Sequence, residues 1–156
     1  MIKEWLHRDS QVDQIASRLN LTKSTVSSIL TGYVNYLRSR LDEGNTIKFL
    51  NVCYIVVDGK SEELRETLAY TASKVADTVG VDRVVAYRVL SAFEEYLVKD
   101  LRNFYGYNVR GLFSAKLQNL GKGYGYRLRL MKSSAYVGSN VHITALNSFK
   151  RKVEMP

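Results

Sequence analysis

The chain has 156 residues, 46% of them hydrophobic and 24% charged, a balance typical of a folded chain with one ordinary domain or two small ones. A net charge of +8 favours a polyanionic partner, most often nucleic acid. With one cysteine, Cys53, and two histidines, the sequence excludes an intramolecular disulfide and a cysteine-based zinc site, and we expect no metal or other cofactor.

Neither a membrane protein nor an enzyme is indicated. No apolar run approaches the roughly 20 residues of a membrane span, and the first ten residues lack the apolar core of a signal peptide. Residues 121–126, GKGYGY, are rich in glycine but lack the spacing of a phosphate-binding loop. We therefore expect a non-enzymatic protein in the cytoplasm or on the nucleoid, without a membrane partner.

The sequence contains an internal repeat. Residues 14–26, QIASRLNLTKSTV, align without a gap with residues 74–86, KVADTVGVDRVVA. Each copy predicts a short helix, a turn and then a long amphipathic helix, over Ser24 to Leu41 and over Val84 to Leu101. Ahead of them, Trp5 and Leu6 are predicted to anchor the N-terminal segment by hydrophobic contacts.

Turn and capping residues support these helices. Thr22 and Asp82 stand where an N-cap is expected, and Asn20 and Gly80 stand where a left-handed turn residue is expected. The tripeptide at residues 43–45, EGN, predicts the end of the first long helix.

Strands are predicted after each long helix. Residues 47–57, IKFLNVCYIVV, are rich in β-branched and aromatic side chains. In the second copy, residues 105–108 predict the end of the long helix, and residues 109–117 predict a weaker strand. The chain is therefore predicted to be α+β, with one half in residues 1–60 and a diverged half in residues 61–156.

The C-terminal quarter carries most of the positive charge. Residues 117–156 contain seven basic side chains and a single acidic one, Glu154, and the segment is also rich in tyrosine and glycine. Basic groups neutralise phosphates and aromatic faces stack on bases. We predict a nucleic-acid-binding set with this segment at its centre: Lys122, Tyr124, Tyr126, Arg127, Arg129, Lys132, Lys150, Arg151, Lys152, Lys23, Lys48, Arg83, Arg88 and Arg110.

Each of these residues also has a simpler explanation. A cation on an amphipathic helix is usually part of its solvated face, and a tyrosine is more often packed in a core than stacked on a base. Four tyrosines could therefore either stack on bases or pack in the core: Tyr105, Tyr107, Tyr124 and Tyr126.

The order of elements resembles the HU and integration host factor family of DNA-bending proteins. Residues 15–57 match an HU subunit through the helix QIASRLN, the turn LTKSTV, the long helix, the turn EGN and the strands IKFLNVCYIVV. Residues 74–117 resemble a more diverged second copy. Because members of that family work as intertwined dimers, the resemblance implies two tandem HU-like halves that form a pseudo-dimer within one chain. It also implies duplex DNA as the partner and a packaging or bending role.

The sequence departs from that family in its β-arms. Family members insert a proline at the tip of each arm, whereas the only proline here is Pro156. An arm is predicted only in the second half, within residues 121–143, with residues 138–140 as the turn of a hairpin. Any kink in the DNA would need another side chain as the wedge.

Residues 15–30 are also similar to the helix-turn-helix of sequence-specific regulators. In that reading, Ala16, Val26 and Ile29 pack between the helices, and Lys23 with its small polar neighbours faces DNA. The long apolar period and the strands that follow favour the HU-like order instead.

Four functions thus stay open from the sequence. We rank sequence-neutral binding of double-stranded DNA first, and then binding of single-stranded RNA or DNA, a helix-turn-helix regulator and a structural assembly protein. The chain would act as a monomeric pseudo-dimer or as a homodimer. A duplicated architectural protein of this size would also suit a bacteriophage.

Overall fold

The computed structural model describes residues 3–57, 66–109, 112–119, 124–130 and 141–153. The helices within these ranges are α1 Val12–Leu19, α2 Lys23–Asp42, α3 Leu68–Val79, α4 Arg83–Arg102 and α5 Asn147–Val153. The strands are β1 Trp5–His7, β2 Ile47–Phe49, β3 Cys53–Val57, β4 Gly106–Val109, β5 Phe113–Asn119, β6 Tyr124–Leu130 and β7 Val141–Ala145. A 3-10 helix, Arg8–Gln11, joins β1 to α1.

The helix–turn–helix units of the two halves have the same local structure. Asn20 and Gly80 end α1 and α3 in the left-handed conformation, with φ of 57° and 83°. The Thr22 hydroxyl accepts a hydrogen bond from the Thr25 backbone, and the Asp82 carboxylate accepts one from the Val84 backbone. Both predicted N-caps and both predicted turn residues are confirmed, and each long helix is one residue longer at either end than predicted.

The strands that follow the long helices also pair in the same register in both halves. In the hairpin β2–β3, Ile47 lies opposite Ile55, and in the hairpin β4–β5, Tyr107 lies opposite Ala115. Tyr107 lies 60 positions after Ile47, and Ala115 lies 60 positions after Ile55. The repeat seen in the sequence therefore extends from the helices to the backbone pairing of the sheets.

The strands predicted after the first long helix are confirmed, and one boundary in the second half needed correction. Within Ile47–Val57, β2 and β3 form a hairpin in whose turn Val52 donates its N–H to the carbonyl of Phe49 at 3.0 Å. The second long helix ends at Arg102, before the predicted stop signal at residues 105–108, but the weaker strand predicted to begin at residue 109 begins earlier, because Gly106–Asn108 belong to β4. These residues are extended because they pair with β1 on one side and β5 on the other.

Each sheet is completed by a strand from elsewhere in the sequence. The order is β1-β4-β5-β6 in the four-stranded sheet and β2-β3-β7 in the three-stranded sheet. Strand β1 from the N-terminus runs parallel to β4, and β7 near the C-terminus runs antiparallel to β3. Both ends of the described chain are therefore joined by backbone hydrogen bonds to the half that is distant in sequence.

One hydrophobic core lies between the helices and the two sheets. It contains the apolar faces of α2 and α4 together with inward residues of β2 through β5. Fully buried aromatic rings from both halves meet in it, among them Tyr33, Phe49, Phe93 and Phe113. The mixed α+β class predicted from the sequence is confirmed. No helix of the described ranges is long and apolar enough to cross a membrane.

Candidate nucleic-acid interface

The four-stranded sheet has one face in the core and one face away from it. Along β4 and β5, Tyr107, Val109, Phe113 and Ala115 are fully buried, whereas the alternate residues Asn108, Ser114 and Lys116 are only partly buried. Since successive side chains of a strand point to opposite sides, these alternate residues define an outer face. The outer face carries Asn108, Ser114 and Lys116.

Backbone pairing extends this outer face over all four strands. His7 lies opposite Asn108, Asn108 opposite Ser114, and Ser114 opposite Arg129. One row along the sheet therefore contains a polar or basic residue at each of its four positions, over a width of about 14 Å.

A second row places two basic residues opposite each other. Lys116 of β5 is paired with Arg127 of β6. Partners in an antiparallel pair occupy the same face of the sheet, so the strand positions of Arg127 and Arg129 both belong to the outer face. Of the predicted binding residues, these two are brought onto a common face, and they join Lys116, which the sequence analysis did not select.

Trp5 lies on the same face, at the edge strand. Its side chain is 46% exposed, and its backbone is paired with Gly106. A Cβ atom at position 106 would lie 2.5 to 2.8 Å from three atoms of the six-membered ring of Trp5. The indole thus lies directly over the backbone of β4, at a distance that only glycine permits.

The N-terminal segment is held in place by its own contacts. The Lys3 backbone donates to the Phe104 carbonyl at 2.8 Å, and the Gly106 backbone donates to the Glu4 carbonyl at 3.0 Å. The Lys3 ammonium lies 5.5 Å from the centre of the Tyr105 ring, within the range of a cation–π contact. The prediction that Trp5 anchors this segment is therefore only partly right, because backbone pairing fixes it and the indole stays exposed.

The three-stranded sheet is less basic. Its core side is formed by Ile47, Phe49, Cys53 and Ile55, all buried. Lys48 is paired with Tyr54, and both are partly buried on the opposite side. Lys48 is thus the single predicted binding residue that falls on a described strand of this sheet.

The three predicted cations of α5 differ in their surroundings. Phe149 and Val153 bury one side of this helix, and Arg151 is exposed. The Lys152 ammonium lies 3.5 Å from a carboxylate oxygen of Glu94, while the other Glu94 oxygen accepts from the Asn51 backbone at 2.8 Å. Lys152 is therefore engaged within the protein. Lys150 is partly buried and also has an interaction within the protein.

Three further predicted cations lie at the beginnings of the long helices. Lys23 and Arg83 are the first residues of α2 and α4, and Arg88 is one turn further into α4. All three are exposed. Lys23 is 3.4 Å from Asp13, but both side chains are more than two thirds exposed, so this ion pair is weak.

Tyr107 belongs to the core, so core packing, the more common of the two alternatives given for it, is the one observed. Its ring is fully buried, and its hydroxyl donates to the side-chain oxygen of Gln11. The Gln11 amide in turn donates to a carboxylate oxygen of Asp100. Burial is the main cause of the raised pKa of the Asp100 carboxyl. This polar group connects the 3-10 helix to α4 and β4.

Several predicted residues lie outside what the structure describes. Arg110, Lys122 and Lys132, and the predicted hairpin turn at residues 138–140, are not among the described residues. Tyr124 and Tyr126 are placed by their backbone in β6, opposite Asn119 and Leu117. Among the residues with described side chains, the position of Trp5 on the outer face was not predicted from the sequence, because a three-residue strand leaves no periodic signal.

Comparison with known proteins gives no family assignment. No protein-family model matches the chain, and no curated protein matches it either. The described part of the chain also holds no cluster of three side chains suited to binding a metal ion.

Proposed function

We propose that this chain is a non-enzymatic nucleic-acid-binding protein that contacts phosphates through the outer face of its four-stranded sheet. The preferred partner in this proposal is double-stranded DNA, bound with little regard to sequence, in an architectural role. Its two halves would correspond to two HU-like subunits joined in one chain, acting on the nucleoid of a bacterial cell or on the DNA of a bacteriophage.

The observation that carries the proposal is the register between β5 and β6. It pairs the strand position of Arg127 with Lys116 and that of Arg129 with Ser114, and Lys116 and Ser114 alternate with the buried core residues of β5. A pattern of three basic residues at strand positions within two rows suits the regularly spaced charges of a nucleic-acid backbone. No acidic residue occupies a paired position in these rows.

The chemistry of this face favours contacts with phosphates over reading of bases. A flat sheet surface presents short polar groups, such as Ser114 and Asn108, between the cations. Such groups donate to phosphate oxygens and fix the orientation of a bound duplex, but they carry no sequence information of their own. This supports largely sequence-neutral binding.

The structural repeat supports the proposed pseudo-dimer. The long helices, their caps and the register of the hairpins recur at an interval of 60 residues. The cations do not recur in the same way, because Lys48 corresponds to Asn108 and Lys116 corresponds to Val56. Binding would therefore be asymmetric, and the four-stranded sheet would make most of the phosphate contacts.

Competition binding tests this proposal directly. Labelled duplex DNA, single-stranded DNA and single-stranded RNA of equal length are titrated with the protein at several salt concentrations. We expect the duplex to bind most tightly, with affinity falling steeply as salt rises. If Lys116, Arg127 and Arg129 each neutralise one phosphate, the triple alanine variant should reduce the log–log salt slope by about 2.7.

A control variant distinguishes binding by this face from binding by positive charge elsewhere on the protein. The substitution Lys74→Ala removes an exposed cation of α3 that lies beside Tyr70 and away from both sheets, and it should leave the slope unchanged. An equal loss in both variants would contradict a localised interface. No binding to any of the three nucleic acids would overturn the proposal and favour an assembly protein.

A single-stranded partner is the second candidate. The exposed indole of Trp5 over Gly106 is the observation that favours it, because aromatic faces on a basic surface are the usual platform for unpaired bases. A clear preference for single-stranded DNA or RNA in the same competition would establish this alternative. The helix-turn-helix alternative would instead show strong discrimination between duplex sequences.

A further inference from the structure

We infer that Trp5 forms a stacking site for one unpaired nucleobase at the edge of the basic sheet face. This inference rests on the proposed function and deepens it, since it names the chemical group that the indole receives. The ligand is a nucleic acid with an unstacked base, either in a single strand or at a gap in a duplex.

The position of the ring is the first argument. Strand β1 is an edge strand, hydrogen-bonded through β4 on one side, and Trp5 is exposed while its neighbour Leu6 is partly buried against the core. The chain contains a single tryptophan, and the fold places it outside the core.

The support beneath the ring is the second argument. The indole lies over Gly106, where even a methyl group would come within 2.5 to 2.8 Å of ring atoms. Backbone hydrogen bonds before and after Gly106 hold β1 against β4. A supported ring loses little conformational freedom when a base stacks on its open side, so it is better prepared than an aromatic side chain that extends freely into water.

The charge around the ring is the third argument. Lys3 precedes Trp5 by two residues and is exposed, while Lys116 and the strand positions of Arg127 and Arg129 lie on the same sheet face. A base that stacks on Trp5 would have its phosphates directed along a cationic surface. An acidic or purely apolar peptide would gain from only one of these two properties, so a nucleotide is the occupant that fits both.

Tyr70, another exposed aromatic residue, lacks this combination. Tyr70 is 45% exposed on α3, but its ring is covered on one side by the Lys74 ammonium at 5.3 Å. It belongs to neither sheet. Tyr70 therefore provides a matched control, with similar exposure in a different setting.

Tryptophan fluorescence reports on the site without any mutation. The protein is titrated with an oligothymidylate of about 15 nucleotides, with a blunt duplex of the same length, and with that duplex carrying a short single-stranded gap. Stacking should quench the emission of Trp5. Quenching by the single strand, or by the gapped duplex alone, would each support the site and identify the source of the base.

Two substitutions then test the contact by affinity. Trp5→Leu keeps an apolar side chain but removes the stacking surface, and it should weaken binding of the quenching oligonucleotide about 5- to 100-fold. The salt slope should stay as in the wild type, because Trp5 neutralises no phosphate. Gly106→Ala should displace the ring and reduce both the quenching and the affinity, whereas Tyr70→Leu should change neither.

Different results would overturn the stacking site and the phosphate-binding face. Salt-dependent binding without quenching, together with wild-type affinity for Trp5→Leu, would overturn the stacking site and leave the phosphate-binding face standing. Absence of binding to all three probes would overturn both. Circular dichroism of each variant confirms that the fold is retained, and the wild-type fluorescence result stands on its own if a variant does not fold.

Discussion

The rings of Phe49 and Phe113 meet edge to face, with their centroids 5.0 Å apart and their planes at 78°. Phe49 belongs to the hairpin of the first half and Phe113 to the hairpin of the second. Phe49 also contacts Tyr33 at 5.6 Å and Phe93 at 6.3 Å between ring centroids. This aromatic group joins the two repeats through their most buried side chains, so each repeat depends on the other for burial of its apolar surface.

Replacement of Phe49 should destabilise both halves together. Phe49→Ala leaves a cavity between four elements and should lower the free energy of unfolding by about 3–5 kcal/mol. Urea denaturation followed by circular dichroism should show one transition, moved to lower urea. The milder Phe49→Leu should show a smaller shift in the same direction, and Tyr70→Ala on the surface should stay within about 0.5 kcal/mol of the wild type.

A second unfolding transition would contradict this dependence of each repeat on the other. If Phe49→Ala produced two transitions, with one of them unchanged, the halves would fold independently. The predicted boundary at residue 60 would then mark two domains.

Local signals in the sequence predicted much of the fold. The interval of 60 residues, the capping residues Thr22 and Asp82, and the left-handed Asn20 and Gly80 all depend on neighbours within a few positions. Such signals act through side-chain hydrogen bonds and backbone sterics, which a short window of sequence contains.

Pairing between strands that are distant in the sequence could not be predicted from local signals. The contact of β1 with β4 joins residues about a hundred positions apart, and β7 returns to β3 over a similar separation. Trp5 and Lys116 were missed as site residues for this reason, since their common face exists only after the strands have paired. The sequence left the choice between stacking and core packing open for Tyr107, because its partner, Gln11, lies equally far away.

Removal of the Tyr33 hydroxyl should destabilise the protein, because this hydroxyl forms a hydrogen bond to the turn of the first hairpin. It accepts the backbone N–H of Leu50 at 2.7 Å in a fully buried position, and Leu50 itself has a positive φ of 48°. Tyr33→Phe leaves that N–H without an acceptor and should lower the free energy of unfolding by about 1–3 kcal/mol. Chemical denaturation measures the loss.

Tyr36→Phe provides the comparison for that variant. The Tyr36 hydroxyl donates to Glu66 at 2.7 Å in a partly buried place, where water can replace it. We expect a loss of no more than about 1 kcal/mol there. Equal effects of the two substitutions would show that the buried position of Leu50 brings no additional penalty.

The stability of the protein should depend on pH through Asp100. Burial raises the pKa of this carboxyl above its ordinary value of 3.8, outweighing the hydrogen bond from Gln11. The folded state therefore holds the proton more tightly than the unfolded state does. As pH rises through the interval between the two pKa values, Asp100 ionises and its contribution to stability falls.

Asp100→Asn isolates this effect. Its amide oxygen can still accept from Gln11, but it carries no charge to desolvate. The free energy of unfolding of the variant, relative to wild type, should increase as pH rises above the ordinary carboxyl pKa of 3.8 and should level off once Asp100 is ionised in the folded state. A difference that is flat with pH, measured by urea denaturation at each pH, would contradict the raised pKa.

Cys53 should be unreactive in the folded protein. Its side chain is fully buried, and its backbone is paired with Phe49 on one side and Ala145 on the other. Burial also raises the pKa of its thiol, and the thiolate is the form that attacks disulfide reagents. An aromatic disulfide reagent should therefore label the native protein only as fast as the sheet opens.

The labelling rate then reports on the same core contact that Phe49 makes. Because Phe49 and Cys53 are directly paired in the hairpin, Phe49→Ala should accelerate labelling in native buffer, whereas the surface substitution Tyr70→Ala should not. Cys53→Ala, which removes the only cysteine of the chain, should abolish the signal. Labelling of the wild type at the rate of the urea-unfolded chain would place Cys53 at the surface and contradict the pairing of β3 between β2 and β7.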